Sequence, residues 1–182
     1  MNYFLSRNLK KFLSIAVLCA ATAITTQAQQ QVVNPNPGMS VREQLMRSPL
    51  NKSRQERVQE ILNYAASFKG TRYVYGTMGP NSFDCSGFTS YVFKNFGIKL
   101  DRSSRGQVAN GRHVAKDKVL PGDLVFFGNR GNSRVGHVGI VYEVDDKGFK
   151  FIHAATRSGI TINHITDTYY QTRYRGACRV ID

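Results

Sequence analysis

Gly136-His137-Val138-Gly139-Ile140-Val141-Tyr142-Glu143-Val144, then Asp145-Asp146-Lys147-Gly148, then Phe149-Lys150-Phe151-Ile152-His153-Ala154-Ala155 reads as a β-hairpin. Two runs rich in β-branched and aromatic residues flank a polar tetrapeptide that ends in glycine, the pattern of two strands and a turn. Each strand carries one histidine. If residue 137 pairs directly with residue 155, His153 lies one diagonal step from His137, roughly 7–8 Å between backbones, which two imidazole side chains can close. A register displaced by one residue puts the two rings on opposite faces. The residues themselves are compatible with either register.

The period of two extends on both sides of the hairpin. Asp123 to Phe127 follows a Pro121-Gly122 turn, and Ile160 to Ile162 and Ala177 to Ile181 are further short strands. Upstream, the period becomes helical. Ser53 and Glu56 fit a capping box. Val58, Ile61, Leu62, Ala65 and Ala66 then recur at helical spacing, with Gly70 as the stop. After a loop from Gly76 to Pro80, a second helix opens at Cys85 or Ser86, buries Phe88, Val92 and Phe96, and ends at Gly97. A shorter helix runs from Ser103 or Ser104 to near Gly111. Helices first and strands later give an α+β domain over residues 53–182, with N-terminal helices packed on an antiparallel β-sheet. About 130 residues suffice for one core.

Phe83-Asp84-Cys85-Ser86-Gly87-Phe88 places a cysteine where a loop enters a helix. The first helical turn presents unpaired N–H groups and the positive end of the helix dipole. Both favour thiolate over thiol, so the expected pKa of Cys85 is low. The same N–H groups can hold the oxyanion that forms when a carbonyl is attacked. Gly87 lets backbone pack closely there. A nucleophilic cysteine needs a base, and the hairpin offers His137. Its glycine neighbours Gly136 and Gly139 leave space for substrate beside the ring. His153, on the partner strand, is placed to bond the far nitrogen of His137 and orient it. His113 and His164 lie in polar surroundings and read as surface residues. Cys178, near the C-terminus, reads as a free, partly buried thiol, because pairing it with Cys85 would abolish the nucleophile.

The chain has 182 residues and a formal charge of +13. Residues 1–28 have the three parts of a secretory signal peptide: Arg7, Lys10 and Lys11, an uncharged apolar run from Phe12 to Ile24, and Thr26-Gln27-Ala28. That run is shorter than the ~20 residues a spanning helix needs, so no stable membrane insertion is expected after cleavage. Without the three basic residues of this segment the charge falls to +10. Residues 29–52, with Asn34-Pro35-Asn36-Pro37-Gly38, read as a flexible linker. Export speaks against DNA or RNA as a partner, as does the lack of an arginine-rich run or a repeated aromatic–basic pattern. The charge suits an anionic envelope polymer. Three cysteines are too few for a disulfide scaffold or a four-thiolate zinc site. No metal and no cofactor are called for.

Six blocks in order resemble the NlpC family of bacterial cell-wall cysteine peptidases. They are Tyr73-Val74-Tyr75-Gly76, Phe83 to Phe88, Arg102-Ser103-Ser104, Pro121-Gly122-Asp123-Leu124-Val125-Phe126-Phe127, Gly136 to Ile140, and Ile152-His153-Ala154. The resemblance implies a papain-like fold; with the leader at residues 1–28, a monomeric enzyme exported to the periplasm or cell wall is expected. The implied reaction is hydrolysis of peptidoglycan stem peptides, at the γ-D-glutamyl to diamino-acid amide or at peptide cross-bridges. Carried over by position, Cys85 matches the nucleophile, His137 the base and His153 the orienting residue. Tyr73 matches a tyrosine beside the nucleophile that helps at the oxyanion. Asp84 and Ser86 match positions that contact substrate, although Asp84 is also placed to cap the helix. Ser104, with Ser103, either opens a helix or lines the groove. Thr77 stands where the family often has glycine, and Asp101 where it often has proline. The alternatives are an N-acetylmuramoyl-L-alanine amidase, a transglutaminase-like acyltransferase, and a non-catalytic wall-binding protein on the same fold.

Overall fold

The structure, a computed structural model, describes residue 40, residues 49–128 and residues 133–181. The expected leader at 1–28 lies outside the described residues, as does most of the linker. The chain divides into two units, Met1–Gln44 and Leu45–Asp182, and the second carries the elements below. These are α1 (Pro49–Ala66), α2 (Cys85–Asn95), α3 (Ser104–Gln107), β1 (Arg112–Val114), a 3-10 turn (Lys116–Lys118), β2 (Leu124–Gly128), β3 (Val135–Asp145), β4 (Gly148–Ala155), β5 (Gly159–His164), α4 (Thr168–Gln171) and β6 (Tyr174–Arg179).

The six strands form one antiparallel sheet in the order β1-β6-β2-β3-β4-β5. This is the expected α+β architecture. Two elements go beyond the sequence expectation, the edge strand β1 and the single-turn helix α4. The capping box at Ser53 does not start α1, which begins four residues earlier at Pro49. Proline suits a first turn because its missing N–H would have no partner there. The short third helix stops at Gln107 rather than near Gly111.

One face of the sheet packs against α1 and α2. Ile61, Leu62, Phe88, Val92 and Phe93 meet Leu124, Phe126, Val138, Ile140, Ile152 and Ala154 there. The other face carries Val125, Phe127, Val141, Phe149 and Phe151, covered partly by Tyr170 and Tyr174. Alternation along each strand divides the side chains between these faces. Gln107, fully buried, ties α3 to α2. Its amide nitrogen donates to the Ser86 carbonyl, the Ser90 hydroxyl and the Asp101 carbonyl at 3.1, 2.9 and 2.8 Å, and its oxygen accepts from Thr89 at 2.8 Å.

The turn of the β3–β4 hairpin pairs Asp145 with Gly148, then Val144 with Phe149 and Glu143 with Lys150. Continued without interruption, that register would place the two histidines on opposite faces. A bulge at Tyr142 prevents this. Beyond it Val141 pairs with Phe151 and Ile140 with Ile152, the register in which residue 137 faces residue 155. The extra residue restores the parity that brings His137 and His153 to one face.

Candidate active site

Asp84 builds the entry to α2. Its backbone is extended, with φ −90° and ψ 176°, and its carboxylate accepts the Gly87 N–H at 2.6 Å as a helix cap. The same carboxylate accepts the Gly76 N–H at 2.9 Å, the Ser86 hydroxyl at 3.3 Å, and a two-pronged contact from Arg102 at 3.0 and 2.6 Å. These contacts use up its acceptor positions. Arg102 also reaches the Ser86 hydroxyl at 3.2 Å. Asp84 and Ser86 are therefore buried and tied to the loop and to Arg102. In the sequence Arg102 carries no local sign of this role. Its partnership with Asp84 could be read only from the fold, since 18 residues separate them. Gly87 fits as expected: a methyl there would lie 2.1 Å from the Thr77 carbonyl.

Cys85 is the first residue of α2 and 8% exposed. Its Sγ lies 4.0 Å from the carbonyl oxygen of Gly136, the residue before His137. Cys85 belongs to the helix-side core, whereas His137 lies on the face of Phe127, its strand partner. Both reach one cavity of about 830 Å³, whose wall also includes Tyr73, His153, Asn163 and Tyr170. Ser104 opens α3, capped by Ser103, whose hydroxyl accepts the Gly106 N–H at 3.1 Å.

The His137 Nε2 is 2.8 Å from the His153 Nδ1, with the rings perpendicular. His153 is fully buried against Phe151 and Tyr170. Its Nε2 is 3.0 Å from the Asn163 Oδ1 and 3.3 Å from the Tyr170 hydroxyl. Neither Asn163 nor Tyr170 was singled out in the sequence, because no local motif marks them. Gly139 does not open space for substrate. A methyl there would meet the Phe151 ring, the Ile152 carbonyl and the His153 Cβ at 2.9–3.1 Å, so this glycine makes room for His153. Gly136 has open space at its Cβ position. His113 lies on the edge strand β1 and is exposed, and the His164 Nε2 pairs with Asp145 at 3.1 Å. Cys178 is free and buried, and its thiol donates to the Gln107 carbonyl.

The NlpC/P60 family model matches residues 70–179. The chain belongs to the NlpC/P60 family. A murein DD-endopeptidase/murein LD-carboxypeptidase of Escherichia coli K12, MepS, is 37% identical over 122 residues, a match covering 66% of this chain and 62% of that protein. A γ-DL-glutamyl hydrolase of Bacillus subtilis is 34% identical over 65% of this chain and 28% of its own. The crystal structure of an NlpC/P60 family protein from Bacillus cereus superposes with a TM-score of 0.63 at 31% identity, covering 69% of this chain and 40% of that one. The matched stretch thus spans less than two thirds of each of these proteins. The α+β fold is the papain-like one of NlpC/P60 domains.

In this NlpC/P60 domain the electrostatics of the thiol differ from the sequence expectation. Burial pushes the Cys85 thiol up from its ordinary value, and the Asp84 carboxylate adds to this. Backbone groups at Val138, Ser86 and Cys85 draw it down and lose the contest. The helix end is present, but its cap residue is an anion beside the sulfur. Burial, and then the neighbouring His153, hold His137 at about 3. Burial likewise holds His153 at about 4, partly offset by its bond to Asn163. Burial alone would raise the Asp84 carboxyl, but Arg102 and the Gly87 and Gly76 N–H groups hold it below its usual value. These shifts all favour the uncharged forms, a neutral thiol and neutral imidazoles. Tyr73 is raised by burial and then by Cys85 and Asp84, so its hydroxyl stays a donor.

Proposed function

We propose that this chain is an exported cysteine endopeptidase that hydrolyses peptidoglycan stem peptides through an acyl-enzyme on Cys85. The observation that carries this reading is the shared cavity. The thiol at the start of α2 and the imidazole of His137 open onto it, and the far nitrogen of that imidazole is held at 2.8 Å by His153. His137 Nδ1 takes the thiol proton as sulfur attacks the amide carbonyl. The tetrahedral oxyanion is met by backbone N–H at the start of α2, with the Tyr73 hydroxyl on the cavity wall as a further donor. Collapse breaks the C–N bond and leaves a thioester. The leaving amine takes the proton from His137. Water, deprotonated by the same imidazole, then attacks the thioester; the C–S bond breaks, the acid product leaves, and the sulfur takes the proton back from His137. His153 keeps the His137 ring oriented throughout.

The substrate class is supported by the family and by the relatives, one named for murein DD-endopeptidase activity and one for γ-DL-glutamyl hydrolysis. The scissile bond is accordingly the γ-D-glutamyl to diamino-acid amide or a peptide cross-bridge. Residues 1–28 and the excess positive charge support export and retention at an anionic wall. The test is mass spectrometry of muropeptides released from purified wall by the protein and by its Cys85→Ala variant. Shortened stems or split cross-bridges are expected from the first and not from the second. Intact stems freed from glycan would instead mark an amidase, and equal release by both proteins would remove Cys85 from the reaction.

A further inference from the structure

The hydrogen-bond chain behind His137 continues past His153. The Asn163 Nδ2 donates to the Asp167 Oδ2 at 3.1 Å, and the Asn163 Oδ1 lies 3.0 Å from the His153 Nε2. The Tyr170 hydroxyl sits 3.3 Å from that same nitrogen and donates to the Asn163 Oδ1 at 3.5 Å. Asp167 precedes α4, where an aspartate usually caps a helix, yet its side chain makes no cap hydrogen bond. Its carboxylate serves Asn163 instead.

The chemistry of these atoms fixes every proton in the chain. A carboxylate only accepts, so the Asn163 amide must turn its NH₂ to Asp167 and its oxygen to His153. That oxygen also only accepts, so the His153 Nε2 must carry a hydrogen. A neutral imidazole has one N–H, so the His153 Nδ1 is bare and accepts from the His137 Nε2–H. His137 is then bare at Nδ1, the nitrogen left to take a proton from the thiol. The opposite chain of tautomers would place an N–H there and leave Cys85 without a base. An orienting carboxylate would face no such ambiguity, because it cannot donate. An orienting imidazole can do either, and needs something behind it to decide.

We propose that Asn163, locked by Asp167, is a positioning residue that sets the tautomer of His137 through His153. This rests on the reading of His137 as the base for Cys85. The aromatic surroundings fit the role. Tyr170 packs edge-on against Phe151 and His153, with centroids at 4.8 and 5.4 Å, so the His153 ring is held while Asn163 selects its proton position.

The experiment combines kinetics with ¹⁵N spectra of the ring nitrogens, which tell N–H from bare nitrogen. The unaltered protein should show bare Nδ1 on both His137 and His153. The variant N163L should lose that pattern and about tenfold or more in kcat, with KM within about twofold, as supporting partners of a catalytic imidazole typically do. The double variant N163D/D167N puts an acceptor at 163 and a donor at 167. It should restore both the tautomer and kcat to within about threefold. The proposal is overturned if folded N163L keeps its kcat, if it loses activity with unchanged nitrogen spectra, or if the double variant is no better than N163L. If C85A cleaved as well as the unaltered protein, the peptidase reading would fail, while the nitrogen spectra would still decide the tautomer.

Discussion

Cys85 stands between opposing influences. The first turn of a helix lowers a thiol pKa, as the sequence suggests, but the residue that caps this helix is a carboxylate, and the sulfur is 8% exposed. Burial and the Asp84 charge together raise it above its ordinary 9.0, while burial lowers His137 from 6.5 to about 3. The proposed pair of Cys85 and His137 therefore holds one proton, and at rest it sits on sulfur. Acidification adds a second proton to the histidines, which resist it until well below pH 6.5. Alkali removes the shared proton from a thiol that yields it only above pH 9.0. A plot of kcat/KM against pH should have a broad plateau across neutrality, with its acid limb below the ordinary imidazole range and its alkaline limb above the ordinary thiol range. Alkylation of Cys85 by iodoacetamide in the free protein should keep rising into the alkaline range. A rate already level near neutrality would mean a preformed thiolate–imidazolium pair and contradict the structure. The place of Cys85 at the start of α2 was legible in Asp84-Cys85-Ser86-Gly87 because helix entry is a local signal. Its protonation was not, since that depends first on burial, which only the packed fold sets.

The hairpin shows the same division between local and distant information. Alternation and the Asp145 to Gly148 turn revealed both strands to within two residues. They did not reveal the register. The turn alone favours one parity, and the far-face core, which sets Val141 beside Phe149 and Phe151, requires the other. Tyr142 absorbs the difference, and nothing in Val141-Tyr142-Glu143 announces a bulge. β1 escaped notice because three residues are too few to show a period, and α4 because a single turn has no amphipathic repeat. Gly139 suggests space for substrate in the sequence, and the structure fills that space with Phe151 and His153. It is the point where β3 and β4 must approach closely enough for His153 to sit behind His137. A Gly139→Ala substitution should cost about 1–3 kcal/mol of stability, as an overpacked site does. The added methyl would lie 2.9 Å from the Phe151 ring and 3.1 Å from the His153 Cβ. Displacing His153 should lower kcat several-fold with little change in KM. Urea unfolding and steady-state kinetics check the two halves, and a stable variant with full kcat would show that the strands can part without disturbing the histidines.

Across the whole domain, the sheet is braced by an interaction between residues 56 positions apart. Asp123 is fully buried, and Arg179 grips its two oxygens at 2.7 and 2.8 Å. The same carboxylate accepts the Leu120 N–H at 2.8 Å, and Arg179 also donates to the Lys118 carbonyl at 3.0 Å. The pair thereby joins the turn before β2 to the last residue of β6, and β2 is the strand on which β3 and its histidine are laid. In the sequence, Asp123 looked like the ordinary first residue of a strand after Pro121-Gly122, because its partner lies at the other end of the domain. A buried pair stabilises little compared with a well-packed apolar substitute, but removing one member leaves a mostly buried charge without its counter-ion. Asp123→Ala should therefore lower the unfolding free energy by about 3–5 kcal/mol. The double variant D123A/R179M should recover part of that loss, since no buried charge remains. It should not recover all of it, because the Leu120 N–H still lacks its acceptor. Urea denaturation of the three proteins reads the difference. If D123A proved as stable as the unaltered domain, Arg179 would have to reach solvent, and the pair would be a surface contact rather than a clasp. If the double variant were the least stable of the three, the pair would contribute through packing of the arginine stem against β2 and β6, not through charge.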